Sequence, residues 1–245
     1  KITQSFNSIS HKRNHGINVA SGEYLIFIDD DCIPQKNFIE NHINFASSLP
    51  TNSFVSGLIK YDDISLFKSK SYIRYKTARH NLTNLYSGME LKKPSSIVAM
   101  NLCVKKSYIT AGNIYFNEKI CAYGLEDYAF AKQCEGKKFR HFIGLAAVNH
   151  NEINATFNSL VFKIRELARL AMPILKSEIY LIDDLPFSRI EKNIAVNIFF
   201  GLFSSASLFF LAVLIASIYD KLPWVPNFMV RFLIVIAYIS GKKQR

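Results

Sequence analysis

Apolar and polar positions follow one rhythm up to about residue 155 of this chain and another beyond it. In the first part, short apolar runs stand between polar, turn-forming stretches. Residues 10–20 read as the end of a helix closed by Ser21-Gly22. Tyr24-Leu25-Ile26-Phe27-Ile28 is a continuous apolar run, the pattern of a strand buried on both faces of a parallel sheet. It runs directly into Asp29-Asp30-Asp31, with Pro34 close behind. The pattern predicts a helix over 36–47, a strand over 52–59, and a helix followed by a loop within 62–89. It predicts strands over 97–105 and 142–148, the second ending at Asn149-His150. Between them lie a turn region at 112–116 and a helix over 126–135 that stops at Gly136. Strands alternating with helices indicate an α/β domain.

Beyond residue 155 the rhythm is helical. Phe157, Leu160, Val161, Ile164, Leu167, Ala168, Ala171 and Leu175 recur at helical spacing over 157–175, with Lys163, Arg165, Glu166 and Arg169 elsewhere on the wheel. Such a helix either packs on a protein core or lies on a membrane surface with its cations near headgroups. Residues 193–218 carry no charge, and about 20 apolar residues suffice to cross a bilayer. Asp220, Lys221 and Pro223 interrupt this run, and a second apolar segment over 222–240 contains Arg231. The two read as a transmembrane helical hairpin; a pair of buried soluble helices is the alternative. Arg189 and Lys192 precede the hairpin, and Lys242, Lys243 and Arg245 follow it. An excess of cations on both flanks puts both ends, and the preceding domain, on the cytoplasmic side of a membrane. The expected organisation is a catalytic domain over 1–155, an amphipathic linker over 156–192, the hairpin over 193–240 and a basic tail over 241–245.

Charge and cysteine content narrow the function classes. The net charge of +11 suits anionic partners such as phosphorylated substrates or an anionic membrane surface. No basic–aromatic repeat and no helix-turn-helix punctuation accompanies it, so no nucleic-acid partner is expected. Cys32, Cys103, Cys121 and Cys134 show no paired metal-ligand spacing and read as reduced thiols.

Three clusters can carry chemistry. The aspartates at 29–31 sit at the carboxyl end of a strand, where open α/β sheets bind ligands. Adjacent carboxylates repel unless a cation compensates, and Mg²⁺ or Mn²⁺ commonly binds one or two carboxylates plus phosphate oxygens. The triplet therefore reads as a metal–diphosphate site or as a solvated acidic turn. Gly124-Leu125-Glu126-Asp127 sets two carboxylates at a helix start, where the dipole favours anions. These are candidates for a general base or for simple helix capping. His150, at a strand end, is either an ordinary exposed imidazole or a ligand in a mixed oxygen–nitrogen site.

In this order, the motifs resemble one family. Asn14-x-Gly16-Ile17-x-x-Ala20-Ser21-Gly22-Glu23-Tyr24, the apolar strand, Asp29-Asp30-Asp31 and Pro34 look like the central segment of family 2 glycosyltransferases. Asn101-Leu102-Cys103-Val104, Gly112, Phe116 and Gly124-x-Glu126-Asp127 resemble their acceptor-side segment, and His150 falls where a last metal ligand often stands. The resemblance covers roughly residues 7–155. It implies a GT-A fold lacking its first strands, which would precede Lys1, so the chain is expected to be incomplete at its start. It implies an inverting transferase of the hexosyltransferase type. The donor would be a nucleotide-diphospho-sugar, and the acceptor a glycan or lipid-linked hydroxyl at the membrane. Mn²⁺ or Mg²⁺ would be held by Asp31, Asp29 and His150. Asp29, Asp30, Asp31, Arg13 and Asn14 would lie on the donor side, Asp29 near the ribose. Asp127 would act as base, with Glu126 orienting the acceptor. The competing expectation is an inactive fragment or a membrane-tethered binding module.

Overall fold

A computed structural model describes residues 8–61, 64–84, 88–91, 96–121, 124–135, 139–178 and 185–244. The chain divides into two compact units. The first comprises Lys1–Asp62, His80–Cys121 and Glu126–Asn151; the second comprises Asp63–Arg79, Ala122–Leu125 and Glu152–Arg245.

In chain order the first elements are α1 (Ile9–Val19), β1 (Tyr24–Ile28), β2 (Cys32–Pro34), α2 (Phe38–Ser47) and β3 (Ser53–Lys60). Then come α3 (Lys70–Asn84), β4 (Glu90–Leu91), β5 (Asn101–Lys105), α4 (Lys106–Ala111), α5 (Glu126–Glu135) and β6 (Arg140–His150). Serine 8 starts α1 by accepting a hydrogen bond from the His11 amide, which satisfies one orphan donor of the first turn. The expected stop of α5 at Gly136 lies outside the described residues, as does Asp62.

The strands form a six-stranded sheet in the order β1-β5-β3-β6-β2, with β4 also on β6. Among the described residues only β3 and β6 pair parallel; β1 pairs antiparallel with β5 from Tyr24↔Lys105 to Ile28↔Asn101. The parallel, doubly buried setting expected for β1 is therefore not what forms. Leu25 is buried, but Ile28 is 40% exposed. An apolar run reports that a strand is covered, not which way its neighbour runs.

The strand expected from residue 97 begins at Asn101. The reason lies at Ala99, whose amide donates to the Asp127 carboxylate (3.1 Å) and so leaves the ladder. The short strand β2 and helix α4 were not expected at all. Where β3 and β6 shift register, a Cβ on Gly57 would lie 2.1 Å from the Ala146 carbonyl oxygen. Only glycine fits this approach. The Asn101 amide donates to the Leu58 and Ala146 carbonyls (3.0 Å each), satisfying groups the bulge frees, and its oxygen lies 2.7 Å from His42 Nε2. Beside this sheet, Phe54, Phe116 and Phe130 anchor a fully buried core, the last two stacked at 4.2 Å.

The second unit is helical. It contains α6 (Phe157–Glu166), a π-turn over Leu167–Ala171, α7 (Met172–Ser177), α8 (Pro186–Lys192), α9 (Ile194–Gly201), α10 (Ser205–Lys221) and α11 (Asn227–Lys242). All eight apolar positions expected on the stripe over 157–175 are buried. Helix α6 packs against α10 and α11, and the π-turn after it against α11, so this stripe faces protein rather than lipid. Each such large side chain contributes about 1.5–3 kcal/mol by leaving water. A Cβ on Gly241 would meet the Arg165 carbonyl oxygen at 2.2 Å, which sets how closely α11 approaches α6. Asp220 accepts from the Phe157 and Asn158 amides (2.7 and 3.2 Å), placing an anion at the start of α6.

The uncharged run over 193–218 does not form one span. It breaks after Gly201, and Ser204 restarts the helix by accepting from the Ser207 amide (3.0 Å). The two pieces are bent by 101°. Lys243 donates to the freed carbonyls of Phe200 and Gly201 (3.1 and 2.8 Å), holding the bend. Among the described residues no single helix is long and apolar enough to cross a membrane, although this bent pair passes by length and composition. The first arm of the hairpin expected over 193–240 is therefore two helices and not one: a break capped by serine and lysine is invisible to a hydropathy average.

Candidate functional site

The acidic triplet begins where β1 ends. The Cys32 amide donates to the Asp29 carbonyl (3.1 Å), closing a turn that carries the three carboxylates out of the sheet. The Asn151 amide donates to the Asp31 carbonyl (2.8 Å), and this fixes the turn against the end of β6.

One guanidinium gathers carboxylates from both motifs. Arg13, on α1 and only 13% exposed, donates to Asp127 Oδ1 (2.7 Å), Glu126 Oε1 (3.2 Å) and Asp29 Oδ1 (2.9 Å). The Phe116 ring lies 5.1 Å beneath its charged carbon. Burial alone would lower the arginine pKa, but Asp127, Glu126 and Asp29 more than offset it and the net direction is upward. Three carboxylates against one cation leave the site short of positive charge.

The two members of the pair differ. Asp127 uses both oxygens, taking Arg13 on one and the Ala99 amide on the other. Burial, and then the neighbouring Glu126, push its pKa up to about 7, against the opposing pull of Arg13. Glu126 spends Oε1 on Arg13, while its buried Oε2 has no hydrogen-bond partner among the described residues. An unsatisfied buried carboxylate oxygen costs free energy unless a ligand donates to it. Both acids stand in the first turn of α5, as the glycine before them suggested. The preceding Leu125 has φ 73°, a left-handed setting that costs a non-glycine residue about 1–2 kcal/mol. Strain of this kind concentrates at functional sites.

Next to this clamp stands a second group. His150 Nε2 lies 3.1 Å from Asp31 Oδ2, and its Nδ1 lies 3.3 Å from the Tyr61 hydroxyl. Cys32 joins them: donor atoms of Asp31, Cys32 and His150 all lie within 4.8 Å of one another. An oxygen, a sulfur and a nitrogen so disposed fit a divalent cation. The imidazole is held as metal-binding histidines are, by a partner on its other nitrogen.

The expected residues thus divide. Asp29, Glu126 and Asp127 meet through Arg13, and Asp31 meets His150. Asp29 belongs to the clamp, not to the cation group found among the described residues. Asp30 is exposed on the turn. Asn14 is buried, and both its polar atoms are engaged with Phe116 and Glu118, so it braces the segment before α5. Sequence reasoning missed Cys32, Tyr61 and the Ala99 amide. Cys32 sits next to the triplet and could have been noticed; nothing local marks the other two.

Residues 2–113 match glycosyl transferase family 2. The family 2 match takes in Arg13, the acidic triplet, Tyr61 and β5, and it ends before Glu126, Asp127 and His150. No curated protein matches the chain. Among solved structures, S. aureus TarS 1-349 is 12% identical with a TM-score of 0.42, over 97% of this chain and 70% of that one. Its complex with UDP-GlcNAc is 13% identical with a TM-score of 0.44, over 99% and 73%. GalNAc-T7 with UDP, GalNAc and Mn²⁺ is 12% identical with a TM-score of 0.44, over 78% and 44%.

Proposed function

We propose that the first unit catalyses inverting sugar transfer from a nucleotide-diphospho-sugar to a hydroxyl of a glycan or lipid-linked acceptor. The observation that carries this is the Arg13 clamp, which unites the donor-side Asp29 with the acceptor-side Glu126 and Asp127. In this reading Asp31 and His150 hold Mn²⁺ or Mg²⁺. That cation would offset charge on the departing diphosphate. Asp29 sits toward the ribose. Asp127 accepts the proton of the acceptor hydroxyl, and a pKa near 7 suits a base that must be ionised yet still basic. The unsatisfied Oε2 of Glu126 accepts a second hydroxyl of the acceptor and fixes its orientation. Attack by the acceptor oxygen opposite the leaving diphosphate forms the new glycosidic bond and inverts the anomeric carbon.

A membrane setting for the second unit is supported by its exposed apolar side chains. Leu202 is 82%, Ile194 75%, Phe228 72% and Phe210 71% exposed. Large exposed apolar surface marks sites of protein or membrane contact. The bent pair α9–α10 would seat in one leaflet beside cationic flanks, keeping the first unit at the cytoplasmic face.

Turnover of a panel of nucleotide sugars, followed by product analysis, tests the reaction. Asp31→Ala and Asp127→Asn should each abolish glycoside formation. Near-normal rates in both would overturn the assigned roles, and donor binding without turnover in the unaltered chain would favour a binding module.

A further inference from the structure

Cys32 distinguishes the cation group from a simple carboxylate–imidazole pair. It stands directly opposite His150 in the β2–β6 ladder, and directly opposed residues on antiparallel strands project from the same face. The thiol and the imidazole therefore share a face, and the preceding Asp31 supplies an oxygen from the turn. Cys32 is 8% exposed and His150 4%, while the Asp31 side chain is 45% exposed. The cluster thus has two buried donors and one opening to solvent. Behind the sulfur lie Phe38, Ile59, Met100 and Val148, an apolar wall that limits its movement.

The other buried cysteines are placed differently. Cys103 belongs to an apolar cluster with Ala46 and Val55, and the Cys134 thiol donates to the Phe130 carbonyl. Both fill core. Cys32 Sγ instead lies 4.0 Å from Asp31 Oδ1 and within reach of His150.

We propose that Cys32 ligates the cation as a thiolate together with Asp31 and His150, so that the site prefers a borderline-soft ion such as Zn²⁺ or Co²⁺ over Mg²⁺. Ligation forms a metal–sulfur bond and releases the thiol proton to solvent, a balanced exchange that needs no oxidant. Thiolate ligands select softer metals, whereas Mg²⁺ takes oxygen. This inference rests on the reading of Asp31 and His150 as cation ligands.

Titration of the full metal-free chain with Co²⁺ tests it. We expect visible ligand-field bands together with a near-ultraviolet sulfur-to-cobalt charge-transfer band. Cys32→Ser should remove the charge-transfer band and weaken Co²⁺ binding at least about tenfold. Cys121→Ser should leave both unchanged. X-ray absorption of the Zn²⁺-loaded, unaltered chain needs no variant and should show one sulfur at about 2.3 Å. Co²⁺ bound with oxygen and nitrogen scatterers alone, or a charge-transfer band that survives Cys32→Ser, would overturn the sulfur ligand and leave the Asp31–His150 site standing. A folded chain that binds no Co²⁺ would overturn both.

Discussion

Arg13 Nη1 and Asp127 Oδ1 lie 2.7 Å apart although 114 residues separate them in the chain. The pair joins a helix before the first strand to the first turn of α5. It opposes the burial that raises the pKa of the group best placed to act as a base.

The pH dependence of turnover follows from that contact. Asp127 must be ionised to accept a proton, and burial raises its pKa to about 7. The rate should rise with pH through this value and then level. Arg13 favours the ionised form, so Arg13→Gln should move the inflection upward, where Arg13→Lys moves it less. A rate profile for Arg13→Gln that matches the unaltered chain would remove Arg13 from this role. The same raised pKa means that the folded chain binds the Asp127 proton more tightly than the unfolded chain. Stability from this group is present at low pH and declines as pH rises from the ordinary carboxylate range to about 7. At pH 8, Asp127→Asn should therefore lose turnover by about 10²–10⁴-fold while its melting temperature holds or rises.

Tyr61 acts on the cation site through His150. Tyr61→Phe should reduce Co²⁺ or Mn²⁺ affinity about tenfold, the lower end for a group behind a ligand, because its contact is 3.3 Å. His150→Ala should cost more. Equal metal affinity in Tyr61→Phe and the unaltered chain, read by titration calorimetry, would exclude an orienting role.

The second unit holds a buried ion pair. Lys76 Nζ lies 3.0 Å from Glu152 Oε2, and the two side chains are 11% and 10% exposed. Burial drives the lysine pKa down, and Glu152 opposes that shift. Glu152→Ala leaves the cation buried without its main counter-charge and should cost about 3–5 kcal/mol in chemical denaturation. Lys76→Met combined with Glu152→Leu should recover much of this. A loss below 1 kcal/mol in the single variant would mean that water reaches the lysine.

Membrane seating predicts a separation of properties. Leu202→Glu and Phe228→Glu place charge at side chains 82% and 72% exposed. Both should reduce flotation with anionic lipid vesicles and leave donor turnover in detergent unchanged. Undiminished flotation of the double variant would point to another face.

Much of the site is legible in the sequence alone. The run Tyr24–Ile28 delivered Asp29, Asp30 and Asp31 to a strand end, and Gly124 delivered Glu126 and Asp127 to a helix start. These are local relations, set within a few residues by burial periodicity and helix-end chemistry. Arg13 was placed on the donor side, yet its contacts with Glu126 and Asp127 left no local trace. Asn14, one residue on, turned inward because α1 rotates each successive side chain by about 100°.

The amino-acid sequence by itself determined where most strands and helices fall, which acids end up at their tips, and that the last fifth of the chain is apolar. Each of these depends on the order of neighbouring residues. Only the tertiary structure decided that β1 pairs antiparallel, that the run over 193–218 bends at Ser204, and that Cys32 faces His150 across a ladder. Those outcomes depend on which distant groups satisfy freed backbone and charge, and that choice is settled by packing in three dimensions.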